Sequence, residues 1–326
     1  MTAIPRTGVW LFPEAPAPAL VAAVVQSEAL GLDELWLGDE GPAREPFAVL
    51  AAASQATNRI RLGIGITNPY VRPPALTTTS ALTIHELSEG RVILGVGAGG
   101  QLSLAPFRLE ATHPIDRVEG FLATARAVCA GVAAPDYEPA KTSITSAATP
   151  TPMPLYVGGR GPRINRLASA AADGAFVAGL PPFRYETVIG WVREHRPVDV
   201  ALYPSVAFDD EAIEHHRPEM IWSLLDAPSH VAESLGVDPG ELGVAADALR
   251  RGDRRPASAL VNDELLGHLM LVGAPAEIGS QLADLVRRHA PTSIGLALLQ
   301  PEIETGIDDA AAALAAMRRN LEDFEP

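Results

Sequence analysis

Several things are scarce in this 326-residue chain, and each scarcity excludes something. Cys129 is the only cysteine, so no internal disulfide and no multi-cysteine metal site can form. Lys141 is the only lysine, and it lies in a Pro-, Thr- and Ala-rich stretch that reads as loop, so Schiff-base chemistry has no good candidate. Basic residues are outnumbered 25 to 40 by acidic ones, for a net charge of −15. Nucleic acid and anionic membrane surfaces are therefore poor partners, because phosphate contacts need clustered Lys and Arg. No apolar run reaches the length of a membrane span, and the N-terminal stretch has no apolar core behind a basic start. A soluble protein of the reducing cytoplasm is expected. His85-Glu86 is not followed by a second histidine at position 89, and His215 and His216 are neighbours that point apart on a helix, so no metal-ligand spacing emerges. There is no G-x-S-x-G elbow for a hydrolase.

What is present is a repeating alternation of short apolar runs and helical patterns. The clearest unit spans residues 60–100. Ile60, Leu62, Ile64 and Ile66 alternate with Arg and Gly, and Thr67-Asn68-Pro69 stops that strand. Pro73-Pro74 opens a helix that Gly90 ends, and Val92-Ile93-Leu94-Gly95-Val96 reads as a parallel strand buried on both faces. Further strands are expected at 8–12, 35–37, 155–157, 175–178, 198–206 and 293–299. Helices are expected near 17–30, 46–56, 114–130, 163–172, 182–195, 275–288 and 308–321. Between Phe208 and Leu271 the rhythm breaks into helical patterns without a convincing strand. Eight strands alternating with helices predict an α/β fold, a (β/α)8 TIM barrel forming one domain, with a helical insertion at about 208–271 between strands seven and eight. A doubly wound open sheet is the alternative.

In a barrel the carboxyl ends of the strands converge on one pocket. Here those ends carry Asp39 and Glu40, Thr67 and Asn68, the run Gly97 to Gln101, the turn Gly158 to Gly161, Gly179, and Gln300 with Glu302. Asp39 and Glu40 are adjacent, so only one can face the pocket if strand geometry persists; otherwise both cap the next turn. Gly95 to Gly100 matches G-x-G-x-x-G, but Gln101 to Pro114 reads as loop and Glu119 falls on a helix, so the dinucleotide fingerprint is rejected. The better reading is a strand end kept bare so that a flat ring system can approach the backbone. Three glycines in Gly158-Gly159-Arg160-Gly161, ahead of a helix, suit phosphate binding through backbone N–H groups and Arg160. Trp10 and Trp36 read as core, and Trp191 and Trp222 as helix packing.

The segments LGIGITNPYVRPP, HELSEGRVILGVGAG and PLYVGGRGPRINRLASAAADGAFVAG resemble the luciferase-like TIM-barrel superfamily, and within it the coenzyme F420-dependent branch that includes methylenetetrahydromethanopterin reductase. The resemblance implies hydride transfer between the deazaflavin C5 and a small organic substrate, such as a one-carbon pterin-type carrier. It implies a non-prolyl cis peptide at Gly65-Ile66 backing the ring, with Thr67 and Asn68 in support. Gly97, Ala98 and Gly99 would leave the ring room, and Gly158, Gly159, Arg160 and Gly179 would hold the phosphate. Asp39 would lie beside the reacting centre. Glu40 stands where many relatives have His, and Gly100 where several have an acid. Relatives are often homodimers. An FMN-dependent monooxygenase and a non-catalytic flavin binder are the alternatives.

Overall fold

The computed structural model describes residues 4–41, 43–138, 151–225, 227–298 and 303–323. Lys141, most of the loop expected at 134–152, and Gln300 with Glu302 lie outside them. Among the described residues there are ten parallel strands: β1 (Arg6–Leu11), β2 (Glu34–Leu37), β3 (Arg61–Thr67), β4 (Val92–Gly97), β5 (Leu155–Gly158), β6 (Gly174–Ala178), β7 (Asp199–Tyr203), β8 (Ser205–Ala207), β9 (Leu271–Val272) and β10 (Ser293–Leu298). β1 pairs with β2 on one edge and with β10 on the other, from Arg6 opposite Ser293 to Leu11 opposite Leu298. That pairing closes the sheet, so the open doubly wound alternative is excluded.

The aromatic residues, only 5% of the chain, are concentrated where a parallel barrel needs bulk. Trp36, Tyr156, Phe176 and Tyr203 fill the interior together with Ile93 and Ala201. The Trp36 and Phe176 ring centroids lie 4.5 Å apart. Opposite these rings stand glycines: a Cβ at Gly63 would lie 2.2 Å from the Trp36 ring, and one at Gly295 would lie 2.2 Å from the Tyr203 ring. The alternate residues of the same strands, such as Leu35, Leu37, Leu62 and Ile64, face outward into the apolar layer beneath the helices. At the amino-terminal floor, the buried Glu34 carboxylate accepts from Trp36 Nε1 at 2.9 Å, Tyr203 Oη at 2.9 Å, Ser293 Oγ at 2.5 Å and Arg6 Nε at 3.2 Å.

Three local expectations differ from the structure. The seventh strand is broken at Pro204, whose side of the strand has no N–H to donate: β7 pairs with β6, whereas β8 leaves β6 and pairs with β9. β9 itself lies at the end of a region expected to be strand-free, too short to show an alternation. Residues 101–107, expected as loop, form a one-turn helix (Gln101–Leu104) and a 3-10 turn (Ala105–Phe107) directly after the glycine run. The stretch between β8 and β9 is helical and buries its own apolar cluster, including Met220, Ile221, Trp222, Leu242 and Leu266. Among the described residues, no helix is long and apolar enough to cross a membrane.

Candidate active site

The carboxyl ends of β1 to β6 form the candidate site, and its centre is a bulge in β3. Ile64 pairs with Leu94 but Thr67 pairs with Val96, so β3 carries one extra residue. Within that bulge the Gly65-Ile66 peptide is cis, as the resemblance implies. The indole N–H of Trp10, at the end of β1, donates to the Gly65 carbonyl. Trp10 is half-buried at the mouth, so its part is more specific than the core packing expected of it.

The interior glycines have an occupant that the sequence did not reveal. A Cβ would lie 2.3 Å from Ile66 Cδ1 if placed on Gly97, 2.7 Å from the same atom on Gly158, and 2.7 Å from Ile66 Cγ2 on Gly95. β4 and β5 are therefore bare beside β3 because the Ile66 side chain lies across them. Gly97 leaves room for Ile66 first, and a ring approaching the mouth would meet the half-buried Ile66. Ala98 and Gly99 follow at the rim; Gly99 takes φ +73°, and a Cβ there would press on Leu104 at 3.1 Å.

Asp39 and Glu40 part company. Leu35 and Leu37 face the outer layer and Trp36 the interior, and past the end of β2 at Leu37 the two carboxylates take different partners. Asp39 Oδ2 accepts from Thr67 Oγ1 at 2.7 Å and from Arg72 Nε at 3.2 Å, and Arg72 also reaches Glu45 at 2.6 Å while lying over the Phe47 ring. Glu40 follows Gly38, whose Cβ direction points at Trp10 and at Glu40 Cγ, and it accepts from Ser103 Oγ at 2.5 Å. Asp39 is thus held by Thr67 and Arg72, while Glu40 lies beside Trp10 and Ser103. Thr67 is buried and spent on Asp39, while Asn68 Oδ1 accepts from the Tyr70 and Val71 amides and closes the turn after β3. Both support the bulge from behind.

The turn after β5 joins an uncapped helix start to an open, glycine-rich loop. The helix Pro162–Ala171 starts at Gly161 without any side-chain cap, leaving its first amides for another acceptor. A Cβ on Gly161 would meet nothing within 4 Å, so the approach is open, whereas one on Gly159 would strike Ile164 at 2.3 Å. Buried Asn165 braces the turn by donating to the Gly159 and Gly161 carbonyls at 3.0 and 2.8 Å. Gly179 takes φ +62°, and the space beside it holds the Arg160 guanidinium, 3.1 Å from where a Cβ would sit. Arg160 Nη1 also donates to the Trp222 carbonyl at 2.9 Å, tying the turn to the helical insertion. Ser103, Asn165 and the Trp222 carbonyl carry no sequence signal of a site. Among the described residues, no group of three or more His, Cys, Asp or Glu could hold a metal. The uncapped helix start, bare turn and Arg160 fit a phosphate, and the bulge fits the flat face of a ring.

The chain is 26% identical to the 5,10-methylenetetrahydromethanopterin reductase of Methanolobus tindarius over 297 residues, 86% of this chain and 90% of that protein. It is 27% identical to the F420-dependent glucose-6-phosphate dehydrogenase of Beutenbergia cavernae, over 80% of this chain and 84% of that one. The coenzyme F420-dependent tetrahydromethanopterin reductase structure from Methanopyrus kandleri superposes with a TM-score of 0.78 at 24% identity, covering 95% and 98% of the two chains. The model of the luciferase-like monooxygenase family matches residues 2–291, and the chain belongs to that family.

Proposed function

We propose that this protein is an oxidoreductase that binds coenzyme F420 and moves a hydride between the deazaflavin C5 and a small organic substrate. The observation that carries this reading is the pairing of two features on either side of β4: the Ile66 bulge of β3, which offers an apolar wall, and the uncapped Gly158–Gly161 turn after β5 with Arg160, which offers an anion site. The names of the relatives in Methanolobus, Beutenbergia and Methanopyrus support F420 over FMN. When bound, F420 supplies a two-electron hydride carrier. The Gly65 carbonyl, fixed by Trp10, and the Ile66 side chain hold one ring face and exclude water there. Arg160, the amides at the start of helix Pro162–Ala171 and the room beside Gly179 hold the phosphate and so fix the ring along the mouth. Asp39, clamped by Arg72 and Thr67, keeps the loops after β2 and β3 together.

The substrate is sought among classes that the relatives' names suggest: the anomeric hydroxyl of a sugar phosphate, or a one-carbon pterin carrier. Oxidised F420 with the protein and glucose 6-phosphate, and reduced F420 with methylenetetrahydromethanopterin, are mixed anaerobically and the deazaflavin absorbance is followed. Enzyme-dependent bleaching in the first case or recovery in the second is expected. Inertness in both, together with protein-dependent oxygen consumption and peroxide release from reduced FMN, would replace this reading with a monooxygenase.

A further inference from the structure

One contact at the mouth is left over once the ring and phosphate are accounted for. Ser103 Oγ donates to Glu40 Oε2 at 2.5 Å. β3 lies between β2 and β4, so this bond, from the loop after β2 to the helix after β4, spans the end of β3 where the bulge lies. Ser103 is buried and Glu40 half-buried, and Glu40 Cγ lies on the side of Gly38 that also faces the Trp10 ring at the mouth. Hydride transfer to or from a C–O group also moves a proton, and the site offers few groups to take it. No histidine or lysine stands within three residues of any strand's carboxyl end. The Asp39 carboxylate already serves Thr67 and Arg72.

We propose that Ser103 and Glu40 form a proton relay that matches the site to an alcohol/carbonyl couple, with Ser103 touching the substrate oxygen and Glu40 holding the proton behind it. The proposal rests on the hydride-transfer reading above. In the oxidative direction the substrate C–H bond breaks with its electron pair leaving for the oxidised deazaflavin. The substrate O–H bond breaks, its proton passes to Ser103 Oγ, and the Ser103 hydrogen passes to a Glu40 carboxylate oxygen as the C–O bond becomes C=O. The reductive direction returns the same proton to the oxygen. Glu40 then exchanges its proton with solvent at the rim, which its partial exposure permits.

The test follows the Glu40 carboxyl directly, by 13C NMR of protein labelled at Glu side-chain carboxyls, with its resonance identified by its loss in Glu40→Gln. The titration midpoint is read without ligand, with saturating oxidised F420 and with saturating FMN, binding of each being checked separately by fluorescence. A ring covering the mouth removes water from the carboxylate, so the midpoint should rise by about one pH unit or more on binding. It should also rise in unliganded Ser103→Ala, which loses a donor to the charged form. With glucose 6-phosphate as probe, Glu40→Gln and Ser103→Ala should slow hydride transfer by about 10²- to 10⁴-fold while F420 affinity changes less than about threefold, and Ser103→Thr should restore it. F420 binding with an unmoved Glu40 midpoint overturns the relay and leaves the F420 reading standing. An FMN-only response that moves Glu40 overturns the F420 reading and keeps the carboxylate at the mouth, and binding of neither ring overturns both.

Discussion

At the residue scale, the glycines on β4 and β5 are defined by what they make room for. Gly97 and Gly158 both abut Ile66 Cδ1, and at Gly158 the only contact under 3.0 Å is that side chain, so Gly158→Ala should force Ile66 off its seat and cost about 1–3 kcal/mol of stability, measured by urea unfolding. If the seat is the reason, Ile66→Ala should recover much of that loss in the double variant, whereas strict additivity would contradict it. The positions of these glycines are plain in the sequence, but their occupant is not, because a missing Cβ says nothing about which neighbouring strand supplies the side chain. The separate partners of Asp39 and Glu40 were hidden too. β2 is buried on both faces, so Leu35, Trp36 and Leu37 are all apolar and the alternation that assigns inside and outside leaves no mark in composition. Ser103 lies on a single turn of helix after the glycine run, too short for any periodic pattern.

Histidine chemistry belongs to the same scale. His216 is buried in the insertion with no partner on Nε2, and burial, with His215 and Arg254 nearby, pushes its imidazole down to about 3 from the usual 6.5. Because the folded form disfavours the proton, this contribution to stability is complete above pH 6.5 and is lost as pH falls from 6.5 towards 3. The slope is about 1.4 kcal/mol per pH unit within that window. His216→Leu should flatten the decline of the urea midpoint between pH 6.5 and 4 relative to the parent protein; an unchanged decline would mean that His216 is not its source. Cys129 is buried and its thiol is pushed up by burial, so slow alkylation by iodoacetamide is expected in the folded protein.

At the scale of elements, the barrel is held at its floor by one carboxylate. Glu34 on β2 gathers Arg6 from β1, Tyr203 from β7 and Ser293 from β10, and orients Trp36 above it. Glu34→Ala removes the acceptor from all four donors and leaves three of them, Trp36, Tyr203 and Ser293, in a buried place. We expect a loss of about 3–5 kcal/mol by urea unfolding, with Glu34→Gln losing less because it retains an acceptor. A loss under about 1 kcal/mol for Glu34→Ala would show that water replaces the carboxylate. The alternation of strands and helices was legible because each parallel strand is a short apolar run between turn residues. The break at Pro204 was not, since β7 and β8 together read as one apolar run and the change of partner from β6 to β9 is a long-range event.

At the scale of the whole molecule, the closed barrel brings six strand ends into one mouth and the helical insertion reaches back to it through the Trp222 carbonyl on Arg160. The family could be read from motifs because they fall at these strand ends, where function constrains the backbone. The helices of the insertion bury an apolar core of their own, and nothing in their pattern marks the one carbonyl that meets Arg160. The central claim is that the mouth holds a deazaflavin by its phosphate and one ring face, and a side-by-side fluorescence titration with oxidised F420 and FMN, on the parent protein and on Arg160→Ala, tests it most directly. The account predicts tighter binding of F420 than of FMN, weakened about 10- to 100-fold in Arg160→Ala, the scale of a lost charged hydrogen bond. Equal or tighter binding of FMN, or F420 binding untouched by the substitution, would contradict it.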